Sequence, residues 1–282
     1  MSNDVFSEIL TGIKNNEVVP YLGAGVLFDS KSKLNGLPIP ADSDSLILAM
    51  NGGKPMAQKV RYEGPRAAMN QELKKGRNFV TQFLDKTYKD SKWTRAEFHD
   101  WLASFQPNYV IDVNRDTQLQ ESYANKKHTL IVGLARIAAT PFRFKTYHYS
   151  GEKYAEIEQT AVDKSLPILF KPMGTSVPES NYIASDADYV DYITELMGGF
   201  AIPDFLKDYR KGKKYLLIGL PLCRDSERMV MSDIVYGANE SKGWFLRKNP
   251  TPKEIRYAKK IGFELIEADC QEFLAFVKSE KG

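Results

Sequence analysis

At the start of the chain, apolar residues recur first at helical spacing and then in a short continuous run. An amphipathic helix is predicted to open the chain, because apolar side chains stand three and four positions apart at Phe6, Ile9, Leu10 and Ile13. The apolar run at residues 18–22 predicts a buried strand. Residues 28–44 are rich in Ser, Asp, Gly, Pro and Lys and are predicted to form a long loop. Asp44 or Ser45 is then expected to cap a short helix that reaches Met50.

The middle of the chain contains a helical region followed by further strands. Residues 66–105 have a helical pattern, with an apolar stripe that we interpret as core at Phe98, Trp101, Leu102 and Phe105. Short apolar runs predict strands at residues 109–113, 129–132 and 167–170. Residues 143–162 are polar and aromatic, and the pattern leaves their secondary structure open. Within this region, residues 142–149 alternate as a half-exposed strand would.

Strands and helices alternate most clearly in the last third of the chain. Strands are predicted at residues 215–218, 244–247 and 263–266, and helices at residues 188–197, 225–236, 252–261 and 271–278. Thr251, Pro252 and Glu254 form a helix start with a capping box, and Gly262 is expected to end that helix. Strict alternation of strand and helix implies parallel strands joined by helical crossovers. The predicted fold class is therefore α/β, with a parallel sheet flanked by helices.

Composition and charge narrow the possible partners. Among the 282 residues, 39 are Lys or Arg and 36 are Asp or Glu, which gives a net charge of +3. This near balance does not predict a nucleic-acid partner. Two cysteines and three histidines at no recognisable spacing make a zinc site unexpected. No apolar run reaches the ~18 residues of a membrane span, and the N-terminus lacks the features of a signal peptide. We therefore expect a cytoplasmic protein without metal or membrane contact, in which the glycosylation sequon at residues 239–241 is a coincidence.

The first candidate for chemistry is the sequence Gly23-Ala24-Gly25 at the end of the first predicted strand. Glycines at a strand end allow backbone N–H groups to approach a phosphate closely. The full dinucleotide fingerprint requires a third glycine where this chain has Phe28, which disfavours an ordinary hydride-transfer enzyme. Taken alone, the motif is better explained as a tight turn.

Several further short motifs occur in a fixed order from about residue 18 to about residue 276. They are Val19-Pro-Tyr-Leu-Gly-Ala-Gly25, Gly36-Leu-Pro38, Ile111-Asp-Val-Asn-Arg-Asp116, Leu169-Phe-Lys-Pro-Met-Gly174, Ile183-Ala-Ser-Asp-Ala-Asp-Tyr189 and Tyr215-Leu-Leu-Ile-Gly-Leu-Pro-Leu222. This succession resembles the sirtuin-like domain family, in the branch without a zinc ribbon. The resemblance implies a single domain over residues 1–282. It would have a Rossmann-like core at about residues 15–30, 105–185 and 212–282, and a smaller helical lobe at about residues 40–105. The dinucleotide, NAD or ADP-ribose, would bind between them.

The same resemblance implies where the cofactor is held. The family's phosphate-binding turn, Gly-Ala-Gly-x-Ser, matches Gly23, Ala24 and Gly25, but its serine position is occupied by Leu27. The strand that ends in Gly219 matches the turn near the adenosine half and lacks the family's hydroxyl group.

The resemblance also implies which residues are catalytic. Asn114 and Asp116 are retained from the family's Thr-Thr-Asn-x-Asp segment, and this asparagine faces the nicotinamide ribose and helps to place the attacking water. The family's general-base histidine and the glycine after it, a cofactor contact, fall on Met173 and Gly174. A thioether takes up no proton near neutral pH, so Met173 cannot be a base. His148 is the first other residue to consider.

These features favour a sirtuin-like protein that binds NAD or ADP-ribose with a degraded catalytic site and acts as a sensor, a regulator or through a protein partner or homo-oligomer. The alternative is an NAD hydrolase that uses Asn114 to place water, since many zinc-free relatives deplete NAD in bacterial defence. A protein deacylase ranks below both, because two cysteines cannot form the four-cysteine zinc module. In a fourth reading, Leu27 and Met173 fill the pocket and the chain is a structural partner.

Overall fold

The computed structural model describes residues 2–58, 63–89, 92–236 and 242–280, so the sequon at residues 239–241 lies outside the described residues. The strands, β1 to β11 in chain order, are Val18–Leu22, Tyr109–Asp112, His128–Gly133, Phe144–Tyr149, Tyr154–Glu156, Ile168–Lys171, Gly174–Thr175, Asn181–Tyr182, Lys214–Ile218, Gly243–Leu246 and Phe263–Ile266. The helices, α1 to α11, are Ser2–Lys14, Ser43–Met50, Gly64–Lys75, Arg77–Tyr88, Glu97–Phe105, Gln118–Ser122, Asp186–Met197, Asp204–Tyr209, Asp225–Tyr236, Pro252–Ile261 and Cys270–Ser279.

Nine of these strands form one mostly parallel sheet, in the order β11-β10-β9-β1-β2-β6-β3-β4-β5. The seven strands from β11 to β3 are parallel, and β4 and β5 are antiparallel to their neighbours. The predicted α/β class with a Rossmann-like sheet is confirmed. The region at residues 143–162, for which the pattern left the structure open, forms the β4–β5 hairpin at one edge.

Each face of the sheet is covered by helices because successive strand residues point to opposite sides. On one face, Val18 and Leu22 of β1 pack in a core with the apolar stripe of α1 and with residues of α5 and α11. On the other face, Val19 and Tyr21 share a core with residues of α7, α8, α9 and α10. Burial on both faces explains why the central strands read as continuous apolar runs.

Helices α2 to α5 are inserted between β1 and β2, where the sequence predicts a helical lobe. The predicted cap of α2 was wrong by two or three residues. Asp42 is extended, with φ −77° and ψ 162°, and its carboxylate accepts the backbone N–H groups of Asp44 and Ser45. The N-cap is thus Asp42, and Asp44 and Ser45 lie within the first turn of α2. Backbone N–H groups of that turn have no partner inside the helix, so the side chain just before the helix accepts them.

Caps in the last third are formed as the sequence predicts. Thr251 and Glu254 make the reciprocal bonds of a capping box, and Gly262 ends α10 with φ 71°. Among the described residues, no helix is long and apolar enough to cross a membrane.

Candidate functional site

The carboxyl ends of four parallel strands converge at one place in the sheet. Chain order runs from β1 to β2 and β6 on one side, and β9 and β10 lie on the other side of β1. In open α/β sheets, the crevice at such a reversal is the usual ligand site. The segments that follow β1, β2, β6 and β9 carry all the residues singled out from the sequence as cofactor-binding or catalytic.

Two connected depressions lie over these strand ends. The first, the inner pocket, measures about 650 Å³ with its open mouth and is lined by Tyr21, Asn114, Arg115, Met173, Tyr189, Glu227 and apolar residues of the β9–α9 segment. The second, the outer groove, measures about 1260 Å³ with its open solvent and is lined by residues that include Gly25, Leu27, Gly219, Arg247, Lys248 and Asp269. Both are lined by Ala24, Ala41, Asp42, Leu220 and Pro221, so they adjoin, and together they are called the cleft below.

Asn114 is held rigidly at the wall of the inner pocket. Its side-chain nitrogen Nδ2 donates to the backbone oxygen of Gly23 at 3.0 Å and to Oδ1 of Asp112 at 2.8 Å. The same Asp112 oxygen accepts the backbone N–H of Asn114 at 3.0 Å. Because both amide hydrogens are engaged, the amide oxygen of Asn114 is the atom left for a ligand in the pocket.

A buried ion pair supports this arrangement from below. Nζ of Lys171, at the end of β6, lies 2.7 Å from Oδ2 of Asp112, at the end of β2, and neither side chain is exposed to solvent. Lys171, Asp112 and Asn114 therefore form a chain of charge-assisted hydrogen bonds that ends on the backbone of Gly23. This chain ties the ends of β6, β2 and β1 together beneath the pocket.

Arg115 brings a positive charge to the pocket wall. Its Nε and Nη2 donate to the backbone oxygen of Ile183, at 3.0 Å and 2.5 Å, and Nη2 also contacts the hydroxyl of Tyr189 at 3.3 Å. Within the described ranges, no carboxylate forms an ion pair with Arg115. Its charge is therefore available to an anionic ligand. Sequence reasoning missed this residue, although its position directly after Asn114 was a usable signal.

The glycines after β1 and β9 pack these two turns closely together. The N–H groups of Gly23 and Gly25 donate to the backbone oxygens of Ile218 and Gly219, both at 2.9 Å. A Cβ atom on Gly25 would lie 2.7 Å from Cα of Gly219, and Gly219 itself has φ +73°. Both glycine N–H groups are thus used inside the protein. The N–H of Ala24 forms no hydrogen bond within the described chain, so it is the one of the three that is left for a ligand.

The predicted base position is occupied by an inert side chain at the pocket wall. Met173 lines the inner pocket and is 4% exposed. Gly174 follows it in β7, where φ is +81° and a Cβ atom would lie 2.0 Å from the backbone oxygen of Asn181. The glycine is thus explained by the close β7–β8 pairing, and it does not line the inner pocket or the outer groove.

Asp116 lies behind the pocket wall. Its Oδ1 accepts the backbone N–H of Gln118 at 2.9 Å, and its Oδ2 is buried without a hydrogen-bond partner among the described residues. Burial, reinforced by the nearby carboxylate of Asp112, raises the pKa of Asp116. The structure therefore brings Asn114 and Met173 together in the pocket and leaves Asp116 outside it.

Glu227, in the first turn of α9, is a pocket residue that sequence reasoning missed. Its Oε2 is buried with no hydrogen-bond partner in the described part of the chain, and burial raises its pKa to about 7. Carboxyl groups with such a shift in a cleft are typical of functional sites. The sequence alone shows only an acidic residue at a helix start, which is a common structural feature.

His148 lies away from this site. It is on β4, which is separated from β1 by β2, β6 and β3 in the sheet. Adjacent strands are about 4.8 Å apart, so β4 is roughly 19 Å from β1. Within the described ranges, no group of three or more His, Cys, Asp and Glu side chains is placed to hold a metal ion.

No protein-family model matches this chain, and no curated protein sequence matches it. The class of protein is defined by the fold, an α/β protein with a Rossmann-like parallel sheet and a cleft at its topological switch point.

Proposed function

We propose that this chain binds a dinucleotide of the NAD or ADP-ribose class in the cleft formed by the inner pocket and the outer groove. The observation that carries this proposal is that the inner pocket and the outer groove adjoin over the carboxyl ends of β2, β1 and β9, at the topological switch point. The order of motifs that resembles the sirtuin-like family supports the same ligand.

The polar groups of the cleft fit the parts of such a ligand. The amide oxygen of Asn114 is an acceptor for a ribose hydroxyl in the inner pocket. The Ala24 N–H and the Arg115 guanidinium supply a donor and a charge for a phosphate group. The adenosine half would occupy the outer groove. There, Arg247 is already paired with Glu254, and Lys248 with Asp269, the N-cap of α11, and with Glu272 in its first turn.

A sensing or regulatory role follows from the side chain at position 173. A base at the end of β6 would face the inner pocket, and Met173 cannot supply one. Loss of a general base removes about 10²–10⁴ in rate. In this reading, the ligand changes how the chain acts on a protein partner or on a second copy of itself, and turnover is not its main purpose.

Isothermal titration calorimetry with ADP-ribose and with oxidised NAD tests the binding proposal. We expect binding to the native chain and at least a tenfold weaker affinity in the Ala24→Phe variant, because Ala24 lines both parts of the cleft. Ala161→Phe, at an exposed alanine outside the cleft, is the matched control and should bind as the native chain does. Absence of binding of both ligands at millimolar concentration would refute the proposal.

Hydrolysis of the nicotinamide–ribose bond is a second candidate function, and the specific observation that favours it is the carboxyl group of Glu227 in the inner pocket. A cleft with a perturbed carboxyl and a fixed amide contains the elements of an acid–base site. Release of nicotinamide from NAD by the purified chain is the direct test.

A further inference from the structure

Four helices in the second half of the chain, α7, α9, α10 and α11, have an acidic residue at their third position. Such residues commonly cap the helix, because the side chain accepts a backbone N–H of the preceding turn. The four residues are Asp188 of α7, Glu227 of α9, Glu254 of α10 and Glu272 of α11. The hydrogen-bond and ion-pair partners of these four carboxylates show which of them serve the fold alone.

Three of the four carboxylates accept a backbone N–H at the start of their helix and also form an ion pair with a cationic side chain. Asp188 accepts backbone N–H groups and forms an ion pair with Arg77. Glu254 accepts the N–H of Thr251 through Oε2 at 2.8 Å. Its Oε1 is also buried without a hydrogen bond, but it lies 3.0 Å from Nε of Arg247 in an ion pair. In α11, the carboxylate accepts the N–H of Asp269 at 2.9 Å and an ammonium hydrogen of Lys248 at 3.0 Å. Their charge is therefore used within the fold.

Glu227 differs from these three. It accepts the backbone N–H of Arg224, as a capping residue does, but it has no ion pair in the described part of the chain. The guanidinium of Arg224 lies 3.1 Å from Asp44. The second oxygen, Oε2, is buried with no hydrogen-bond partner among the described residues. A buried polar atom without a partner is costly to the fold and calls for a reason outside helix capping.

The inner pocket supplies that reason. Glu227 lines it together with Asn114, whose amide oxygen is free for a ligand, and with Met173, where a base is missing. Tyr21 lines the same pocket. A carboxyl group, a fixed amide and an apolar wall are thus assembled around one space, from elements far apart in the sequence.

We propose that Glu227 is the catalytic residue that accepts the proton of water when the nicotinamide–ribose bond of a bound dinucleotide is hydrolysed. This inference rests on the second candidate function, hydrolysis of a dinucleotide bound in the cleft, and not on the sensing role, in which turnover is minor. The bond between the anomeric carbon and the pyridinium nitrogen breaks, and its electron pair neutralises the nicotinamide. A bond forms between the anomeric carbon and the water oxygen, one water proton passes to the Glu227 carboxylate, and it later leaves to solvent. Asn114 holds the ribose.

The pH dependence follows from the charges around this carboxyl. Burial is the main cause of its pKa of about 7, and the carboxylates of Glu63 and Glu254 raise it further, while Arg224 lowers it. Tyr21 and Cys223 are the other titratable groups that interact with this carboxyl: burial is the main cause of the raised pKa of each, and the charge of Glu227 raises it further. Only the deprotonated carboxylate is a base, so the rate should rise with pH through about 7 and then level off.

The test compares Glu227→Gln with Asp225→Asn in the full chain. Both change a carboxylate of the first turn of α9 to an amide, but Asp225 is 81% exposed and outside the inner pocket. We expect Glu227→Gln to release nicotinamide at least ~100-fold more slowly and without the inflection near pH 7. Its affinity for ADP-ribose should stay within about threefold of the native value, and Asp225→Asn should behave as the native chain does.

Three results would overturn the inference, and they are distinguishable. If the native chain binds ADP-ribose but releases no nicotinamide between pH 5 and pH 9, binding stands and Glu227 has no catalytic role. If release persists in Glu227→Gln with the same pH profile, another residue is the base. If neither ligand binds, the binding proposal fails, and the role of Glu227 fails with it.

Discussion

Replacement of Lys171 by methionine is expected to destabilise the chain severely, although the residue contacts no ligand. Its ammonium group lies 2.7 Å from the carboxylate of Asp112, and both side chains have zero exposure. Methionine has a similar length and no charge, so the change leaves a buried carboxylate without its cation. The hydrogen bonds from Asn114 to that carboxylate remain.

The magnitude follows from this burial. Removal of one partner of a buried ion pair costs about 3–5 kcal/mol, since the charge that remains has neither water nor counterion. Whole proteins are stable by only about 5–15 kcal/mol, so the loss is a large share of the total. A second change, Asp112→Asn, removes the isolated charge and keeps an acceptor for Asn114. An unpaired amide hydrogen then remains, at a cost of about 1–3 kcal/mol.

Urea unfolding at pH 7, followed by tryptophan fluorescence, measures these free energies. Lys211→Met is the matched control, because Lys211 lies at the same 2.7 Å from Asp208 with both side chains more than 60% exposed (62% and 79%). We expect the control to change the free energy of unfolding by no more than about 0.5 kcal/mol. The double variant at positions 171 and 112 should be at least ~1 kcal/mol more stable than Lys171→Met alone.

Two outcomes would refute this reasoning. A loss of less than ~1 kcal/mol in Lys171→Met would mean that the carboxylate of Asp112 is solvated or already neutral in the native state. A double variant less stable than Lys171→Met would mean that the two residues act independently. In either case, the ion pair would not be the support that holds Asn114 in place.

Two further predictions concern the strand-end turns and the buried histidine. Gly36→Ala is expected to lower the free energy of unfolding by about 1–2 kcal/mol, and Gly219→Ala by more. Both glycines have φ near +72°, but only at Gly219 would the added Cβ lie within 3.0 Å of backbone atoms. Equal losses in urea unfolding would contradict the close packing of the turns. Burial lowers the pKa of His99, so the unfolded chain binds more protons below about pH 6.5, its ordinary range. Between pH 7 and pH 5, the free energy of unfolding of the native chain should therefore fall more than that of His99→Leu, by at most about 1.4 kcal/mol per pH unit. Equal losses would show that this histidine does not titrate on unfolding.

Most secondary structure could be predicted from the sequence because its causes are local. The apolar run of β1 and the Thr251–Glu254 capping box act over a few residues, and both appear in the fold as expected. The cap of α2 was misplaced because Asp42, Asp44 and Ser45 are all good capping residues. The backbone angles, which the sequence does not display, select Asp42.

The candidate site was only partly predictable. Asn114 and Met173 were recognised from motifs, and the structure brings them to one pocket. The glycines after β1 were interpreted as a phosphate cradle, yet two of their N–H groups bind the turn after β9, a contact across nearly 200 residues of sequence. Glu227 resembled any acidic residue at a helix start. It differs from Glu254 in having no ion pair among the described residues, and only the tertiary structure shows this.

The sequence by itself determined the alternation of strands and helices, the α/β class and most helix ends. These depend on side-chain periodicity and capping, whose free energies arise between neighbours in the chain. Tertiary structure alone decided the strand order, the burial of the Asp112–Lys171 pair and the convergence of Asn114, Arg115 and Glu227 on one cleft. These features depend on the environment of each charge, because removal of water and the approach of distant partners set its energy.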